Sequence, residues 1–361
     1  MTEPKKNRLG NLASNDFAFD AIKILISIVI ALAITFVVLC LVCDTPVKAF
    51  VTMLSSPATN LKMFGRVLKN MVPIIFSGLA CALLFRTGLF NMNVEGLYYI
   101  CGIACTALAI KDLGGSFVHP LICALVSGLL GAVLMCISGF LKAKYKVNEL
   151  VSSLMLNSIF LYVGLYYLKN TSIRDPAYAN IGSYEFAETA RLPYITSSMN
   201  VTIAFPLAIL TVVIIYVLLK KTKLGYQIRT SGLNQKFAKY SGMSAFVLFM
   251  LVHVIAGFLS GIGTSLELMS NYTRFTWKEL PNLGWDGAMM AMLGRNDPIG
   301  VLVACFGMSW LTIGASQLQY MGVDKEIISI VKAVLVLLIS SQHFLRKWKE
   351  KALLKEGTEH A

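Results

Sequence analysis

Apolar stretches of about 20 residues without a charge recur along the chain, as at 24–43 and 201–219, and no other feature restricts the fold as much. A backbone crossing a bilayer must satisfy its own amides, which permits helices or closed barrels. About twenty apolar residues make one helical crossing, whereas barrel strands show short alternating segments. Only 14% of the residues are charged, against about 25% in soluble domains. The expectation is an all-α polytopic membrane protein.

The pattern predicts ten membrane segments, at 22–43, 67–86, 92–111, 118–141, 147–168, 200–219, 244–267, 283–295, 298–319 and 326–345. Residues 22–345 thus form one transmembrane domain between tails at 1–21 and 346–361. With the N-terminus inside, 20 of the 32 lysines and arginines fall on the inner side, and four of the remainder (Lys48, Lys62, Arg66, Lys69) sit in one long outer loop. This bias places both termini in the cytoplasm. The loop 169–199 balances Lys169, Arg174 and Arg191 against Asp175, Glu185 and Glu188. Such a neutral segment suits the outer side, as a lid or as a docking face for an external protein.

Several function classes are excluded. The net charge of +13 sits at span ends rather than in a separate basic domain, so nucleic acid is not a partner. The first apolar run exceeds a signal-peptide core and has no cleavage site after it. The eight cysteines lie in or beside spans and read as small apolar packing residues, including the Cys40-x-x-Cys43 pair. The Asn-x-Ser/Thr triplets at Asn170, Asn200 and Asn271 occur at chance frequency. No metal or cofactor site is expected. The chain lacks Gly-x-Ser-x-Gly, His-Glu-x-x-His and a phosphate-binding Gly-x-x-x-x-Gly-Lys-Ser/Thr, so it is not expected to be an enzyme. Any ATP hydrolysis belongs to another polypeptide.

Two segments are interrupted. At 87–96, glycines and polar residues break an apolar run; at 281–287, Pro281 to Gly287 does the same before a short helix that ends in Gly294-Arg-Asn-Asp-Pro298. Unwound backbone at membrane depth is tolerated where protein or a water-filled path surrounds it. Paired breaks suggest an inverted repeat with the path between its halves. Glu95 and Asp286 are costly in a membrane and thus candidates for the path; the competing reading is that each caps its own helix. Asn91, Asn93 and Asn157 both donate and accept hydrogen bonds, as a polar solute or a neighbouring helix requires. Phe90 and Trp285 flank the breaks, where they can stack on a ring or simply pack. His253 and Glu267 share a span and carry no spacing motif.

Between two apolar runs, 220–243 holds six basic residues (220, 221, 223, 229, 236 and 239) and no acid. Leu224-Gly225 opens the loop, Gly232-Leu233-Asn234 breaks it, and Asn234 is a candidate cap for a short helix at 234–240 that Gly242 ends. Phe237 and Tyr240 share one face of that helix. An aromatic knob in a basic rim suits docking on a soluble subunit; a tether to anionic lipid is the simpler reading.

Gly88-Leu-Phe-Asn-Met-Asn-Val-Glu-Gly96 and Val147-Asn-Glu-Leu-Val-Ser-Ser-Leu-Met-Leu-Asn157 resemble signature stretches of the permease subunits of ABC importers for nucleosides and simple sugars, the ribose/branched-chain amino acid type. Leu224 to Gly242 is similar to the cytoplasmic coupling segment of that family. Gly284-Trp-Asp-Gly287 with Leu293-Gly-Arg-Asn-Asp-Pro298 resembles a further motif, and the four occur in the family's order. The resemblance implies cytosolic ABC ATPase subunits, a second permease (identical or different), an external substrate-binding lipoprotein and a bacterial cell membrane. It places Glu95, Asn91 and Asn157 near the path, and Asn234, Ala238 and Tyr240 against the ATPase. Asn93 stands where the family has Gly, Leu97 where it has Gln, and Ser158 where it often has an aromatic. The alternative, an ion-coupled transporter working alone, would use Glu95 or Asp286 as its ion site and would need no docking segment.

Overall fold

Leu61 to Arg86 form one helix, and its burial explains the rest of the arrangement. The computed structural model describes residues 32–37, 39–40, 45–196 and 198–321. The expected crossing at 326–345 and both tails, 1–21 and 346–361, lie outside the described residues, as does most of the crossing expected at 22–43. The described helices, in order, are α1 (Pro46–Thr59), α2 (Leu61–Arg86), α3 (Val94–Ala109), α4 (Val118–Tyr145), α5 (Glu149–Asn170), α6 (Ala204–Lys221), α7 (Lys223–Leu233), α8 (Gln235–Tyr240), α9 (Ala245–Asn271), α10 (Leu283–Leu293) and α11 (Pro298–Ser316). A two-residue pairing of β1 (Tyr194–Thr196) with β2 (Val201–Thr202) lies before α6.

Six described helices, α2, α4, α5, α6, α9 and α11 with its extension to Tyr320, are long and apolar enough to cross a membrane. This is a multi-pass helical protein. Two of the ten expected segments are shorter than a crossing. The one expected at 92–111 is α3, 16 residues long and so about 24 Å. The one expected at 283–295 is α10, 11 residues or about 16 Å. The long loop expected around 44–66 is also corrected: it folds as α1 and the first turns of α2, so Lys48, Lys62 and Arg66 stand on helices. Pro57 is accommodated inside α1, where Ala49, Met53, Ser56 and Pro57 form the buried stripe.

The chain divides into two compact units, Ala58–Trp310 and the flanking Met1–Pro57 with Leu311–Ala361. Within the larger unit, α2 is buried along most of its length, whereas α5 and α6 bury a minority of theirs. Exposed Leu, Ile and Val side chains cover the outer faces, among them Leu129 and Val133 on α4 and Leu210 and Val213 on α6. That division suits central helices in protein and outer ones in lipid. Hydrophobic burial does not drive helices together in lipid, so close backbone packing must do so. The α4–α9 pair does this with Gly257 and Gly261: a Cβ at either would overlap the carbonyls of Gly131 and Ser127. Within the smaller unit, α1 meets the end of α11 at equally short range, where a Cβ on Gly314 would overlap Met53.

The 169–199 segment is bound rather than loose. Ser183 donates its amide to the Phe275 carbonyl at 3.0 Å and Phe186 donates to Thr273 at 2.8 Å. Arg274 pairs with Asp175 (3.1 Å) and Glu185 (2.8 Å) and lies over the Tyr178 ring. The hydrogen bond that Arg274 donates to Glu185 raises its guanidinium above its already high pKa.

Candidate functional site

Two helices begin at the same place in the interior. Glu95 lies in the first turn of α3, and its carboxylate reaches the first turn of α10. Oε1 accepts the Asn282 amide at 2.5 Å, and Oε2 accepts those of Gly284 (2.6 Å) and Trp285 (3.3 Å). Helix N-termini leave unpaired amides and carry partial positive charge. One buried carboxylate therefore takes three amides at the start of α10. Glu95 thus caps α10 across the break rather than its own helix. The approach requires glycine at 284, since a Cβ there would overlap the Glu95 backbone. Asp286 is buried in the first turn of the same helix.

The first break, 87–93, is held from three sides. Asn157 on α5 accepts the Gly96 amide at 2.9 Å and donates to the Met92 carbonyl at 3.0 Å. Ser153 accepts the Met92 amide at 3.1 Å. Asn91 accepts the Asn93 amide at 2.8 Å and donates to Ser138 on α4 at 2.9 Å. His253 Nδ1 must donate to the Phe249 carbonyl at 2.7 Å, since a carbonyl only accepts. Its Nε2 then faces the Asn91 amide nitrogen at 3.1 Å and Glu149 Oε1 at 3.2 Å. Asn93 is fully buried; its Nδ2 faces Met135 Sδ at 3.7 Å and its Oδ1 has no hydrogen-bond partner among the described residues.

Where α2 runs into the first break, Arg86 donates to the Asn296 carbonyl at 3.0 Å and lies 3.7 Å from Asp297, which Lys220 approaches to 3.0 Å. Arg295 and Asn296 both have left-handed backbones, at φ 57° and 56°. Such a conformation costs a non-glycine residue about 1–2 kcal/mol, and the Arg86 bond helps to hold it. The basic segment arrives at the same spot. Gly232 packs so closely on Arg86 that a Cβ would overlap the Arg86 carbonyl.

The basic segment itself differs in detail from expectation. Leu224 and Gly225 lie inside α7, whose cap is Thr222, and Gly232 belongs to its last turn. The helix breaks at Asn234 alone. Asn234 does cap α8, its side chain accepting the Phe237 amide at 3.0 Å, and Gly242 follows with φ 81°. Leu233 (89% exposed), Phe237 (56%) and Tyr240 (89%) project outward, whereas Ala238 is 4% exposed.

The sequence profile described as "Branched-chain amino acid transport system / permease component" matches residues 63–340. The chain belongs to this family. The permease is 29% identical over 289 residues to the guanosine ABC transporter permease protein NupP of Bacillus subtilis, a match covering 78% of this chain and 82% of that one. It is 28% identical to the glucose ABC transporter permease protein TsgB13 of Haloferax volcanii, over 90% and 88% of the two chains. It is 26% identical to the nucleoside ABC transporter permease protein NupB of Lactococcus lactis, over 87% and 89%. It is an ABC transporter permease, and the ion-coupled reading is set aside. Its family is that of a permease component, not a catalytic subunit.

Of the path residues named from sequence, Glu95, Asn91, Asn93 and Asn157 converge on the break, and Trp285 and Asp286 sit on the helix that Glu95 caps. Phe90 is part-exposed and stacks on Phe85 at 4.9 Å. The permease uses Asn91 and Asn157 to fix backbone and side chains in place. Sequence reasoning passed over Glu149, Arg86 and Asp297. Glu149 and Asp297 lie inside quoted motifs, and Arg86 stands directly before the first break; charge beside a break was the signal.

Proposed function

We propose that the permease is one half of the membrane channel of an importer for a nucleoside or simple sugar. Both termini and the 220–243 segment lie in the cytoplasm of a bacterial cell, and 169–199 and 272–282 face outward. The solutes in the names of the relatives support this class. ATP is hydrolysed on separate ABC subunits, a second permease completes the channel, and an external binding lipoprotein delivers the solute. The two breaks belong to an inverted repeat, and the path runs beside them.

The observation that carries this reading is the tip of the basic segment. Leu233, Phe237 and Tyr240 are exposed apolar residues in a basic rim, and their neighbour Gly232 rests on the end of α2 beside the first break. A partner that grips the tip therefore pushes on Arg86 and the break directly. The experiment is tandem purification of the tagged chain from its native cells, with uptake of labelled uridine and ribose measured in parallel. An ABC ATPase should co-purify, and uptake should stop with vanadate but survive an uncoupler. Recovery of the chain alone, with uptake abolished by the uncoupler, would overturn the reading.

A further inference from the structure

An open pocket of about 580 Å³ lies at the far end of α9 from α8, a helix of 27 residues and so about 40 Å long. Its walls include Glu267 on α9, Asn70 on α2, and Tyr272, Trp277 and Lys278 from the loop before α10. Its lining includes none of Glu95, Asn91, Asn93 and Asn157.

Glu267 is only 8% exposed. Its Oε2 accepts from Asn271 at 2.7 Å, while Oε1 has no hydrogen-bond partner among the described residues. A buried carboxylate oxygen left open to a pocket is costly unless something donates to it. Asn70 donates its Nδ2 to Ser309 at 3.2 Å, which leaves its Oδ1 as a second acceptor. Beside them the Tyr272 and Trp277 rings meet edge to face at 5.6 Å. The loop is pinned where the Trp277 carbonyl accepts the Tyr99 hydroxyl at 3.0 Å.

Two oxygen acceptors beside aromatic faces take a particular chemistry. Hydroxyl groups donate to the oxygens and the apolar face of a ring lies on the aromatic wall. Glu279 is a second carboxylate in the lining and Lys278 its one cation, so the lining carries more negative than positive charge and disfavours an anionic solute. We propose that this pocket is an outer subsite for a neutral, hydroxyl-bearing ring, with Glu267 and Asn70 as its hydroxyl acceptors and Trp277 as its stacking wall. The proposal rests on the nucleoside or sugar reading above and names where such a solute first touches this chain. The pocket also joins the break. Pro281 and Leu283 line it, and Asn282 between them donates its amide to Glu95. A solute held here rests against the strand of chain that Glu95 grips.

The test labels Thr276→Cys, on the pocket wall, with a membrane-impermeant maleimide in cells carrying the complete transporter. Uridine, ribose or leucine is added outside, and the parent chain sets the background. Uridine or ribose should slow labelling and leucine should not. Adding Glu267→Gln, which can still accept from Asn271, should raise the protecting concentration about tenfold or more, as for loss of a hydrogen bond to a charged group. Trp277→Leu should do likewise, with both variants present in the membrane at parental level. Normal uridine or ribose uptake without protection, or protection that neither substitution weakens, overturns the subsite and leaves the solute class standing. Uptake and protection by leucine alone overturns the solute class, and the hydroxyl-acceptor assignment with it.

Discussion

Glu95 Oε2 lies 2.6 Å from the Gly284 amide, so a side chain from the first turn of one short helix closes the first turn of another. Both helices are too short to cross a membrane alone, and their N-termini meet at this carboxylate. The arrangement makes the position of α10 depend on α3, and the position of α3 depend on Asn157 and Asn91.

Replacing Glu95 with Gln keeps the size but turns an NH2 group toward backbone donors. A carboxylate offers enough lone pairs for all three amides; the glutamine carbonyl oxygen serves one or two. The loss is about 1.5–3 kcal/mol, that of a hydrogen bond to a charged group. Uptake per unit of membrane-inserted Glu95→Gln should fall at least about tenfold, with α10 more open to protease. Full uptake in that variant would show that the Glu95 bridge does not set the geometry of transport.

Gly232 and Gly242 separate two uses of glycine within one segment. A Cβ on Gly232 meets the Arg86 carbonyl, whereas a Cβ on Gly242 meets nothing and strains only its backbone at φ 81°. Gly242→Ala should cost about 1–2 kcal/mol and leave a working transporter. Gly232→Ala should push α7 away from the end of α2 and abolish uptake while ATPase co-purification persists. Uptake and pull-down on the two variants side by side decide the matter; equal effects would remove the contact from the coupling route.

Arg274 ties the 169–199 segment to the loop before α10 through Asp175 and Glu185. Both partners are removed from it at once by Arg274→Ala. Partly exposed pairs are each worth about 1 kcal/mol or less, so the fold should survive. The released segment should be cut by external protease several-fold faster, as read by gel bands from whole cells. Unchanged cutting would mean that the backbone bonds of Ser183 and Phe186 suffice to hold it.

The apolar runs made the crossing helices legible, because twenty uncharged residues in lipid have few alternatives. The breaks expected at 87–96 and 281–287 were legible from their glycines and polar residues, although the chain is already helical from Val94 and from Leu283. What Glu95 does there was not, since its partners lie some 190 residues on in the chain. Periodicity carries local structure, not which distant amide a carboxylate finds. The same limit hid the approach of Glu149 to His253 and the bond of Arg86 to Asn296. It also hid α1, whose buried stripe of Ala49, Met53, Ser56 and Pro57 is not a continuous apolar run. In the basic segment, spacing located the Asn234 cap, but it could not tell which face of α8 turns inward.

That face divides two residues which the family resemblance places together. Ala238 is buried and its carbonyl accepts the Met243 amide at 3.1 Å, whereas Tyr240 is 89% exposed. Tyr240→Asp leaves α8 intact and places a charge at the tip. It should abolish ATPase co-purification and uptake without lowering the amount of permease in the membrane. Ala238→Arg forces a long charged side chain into the packing beneath α8, which costs several kcal/mol if the charge stays unpaired. Its expected phenotype is loss of the folded segment, seen as proteolysis within 220–243 and a lower membrane level. Both variants purified from the same cells, with permease amount and bound ATPase measured separately, distinguish docking from folding. If Tyr240→Asp retains the ATPase at parental ratio, the exposed tip is not where the motor subunit holds the chain.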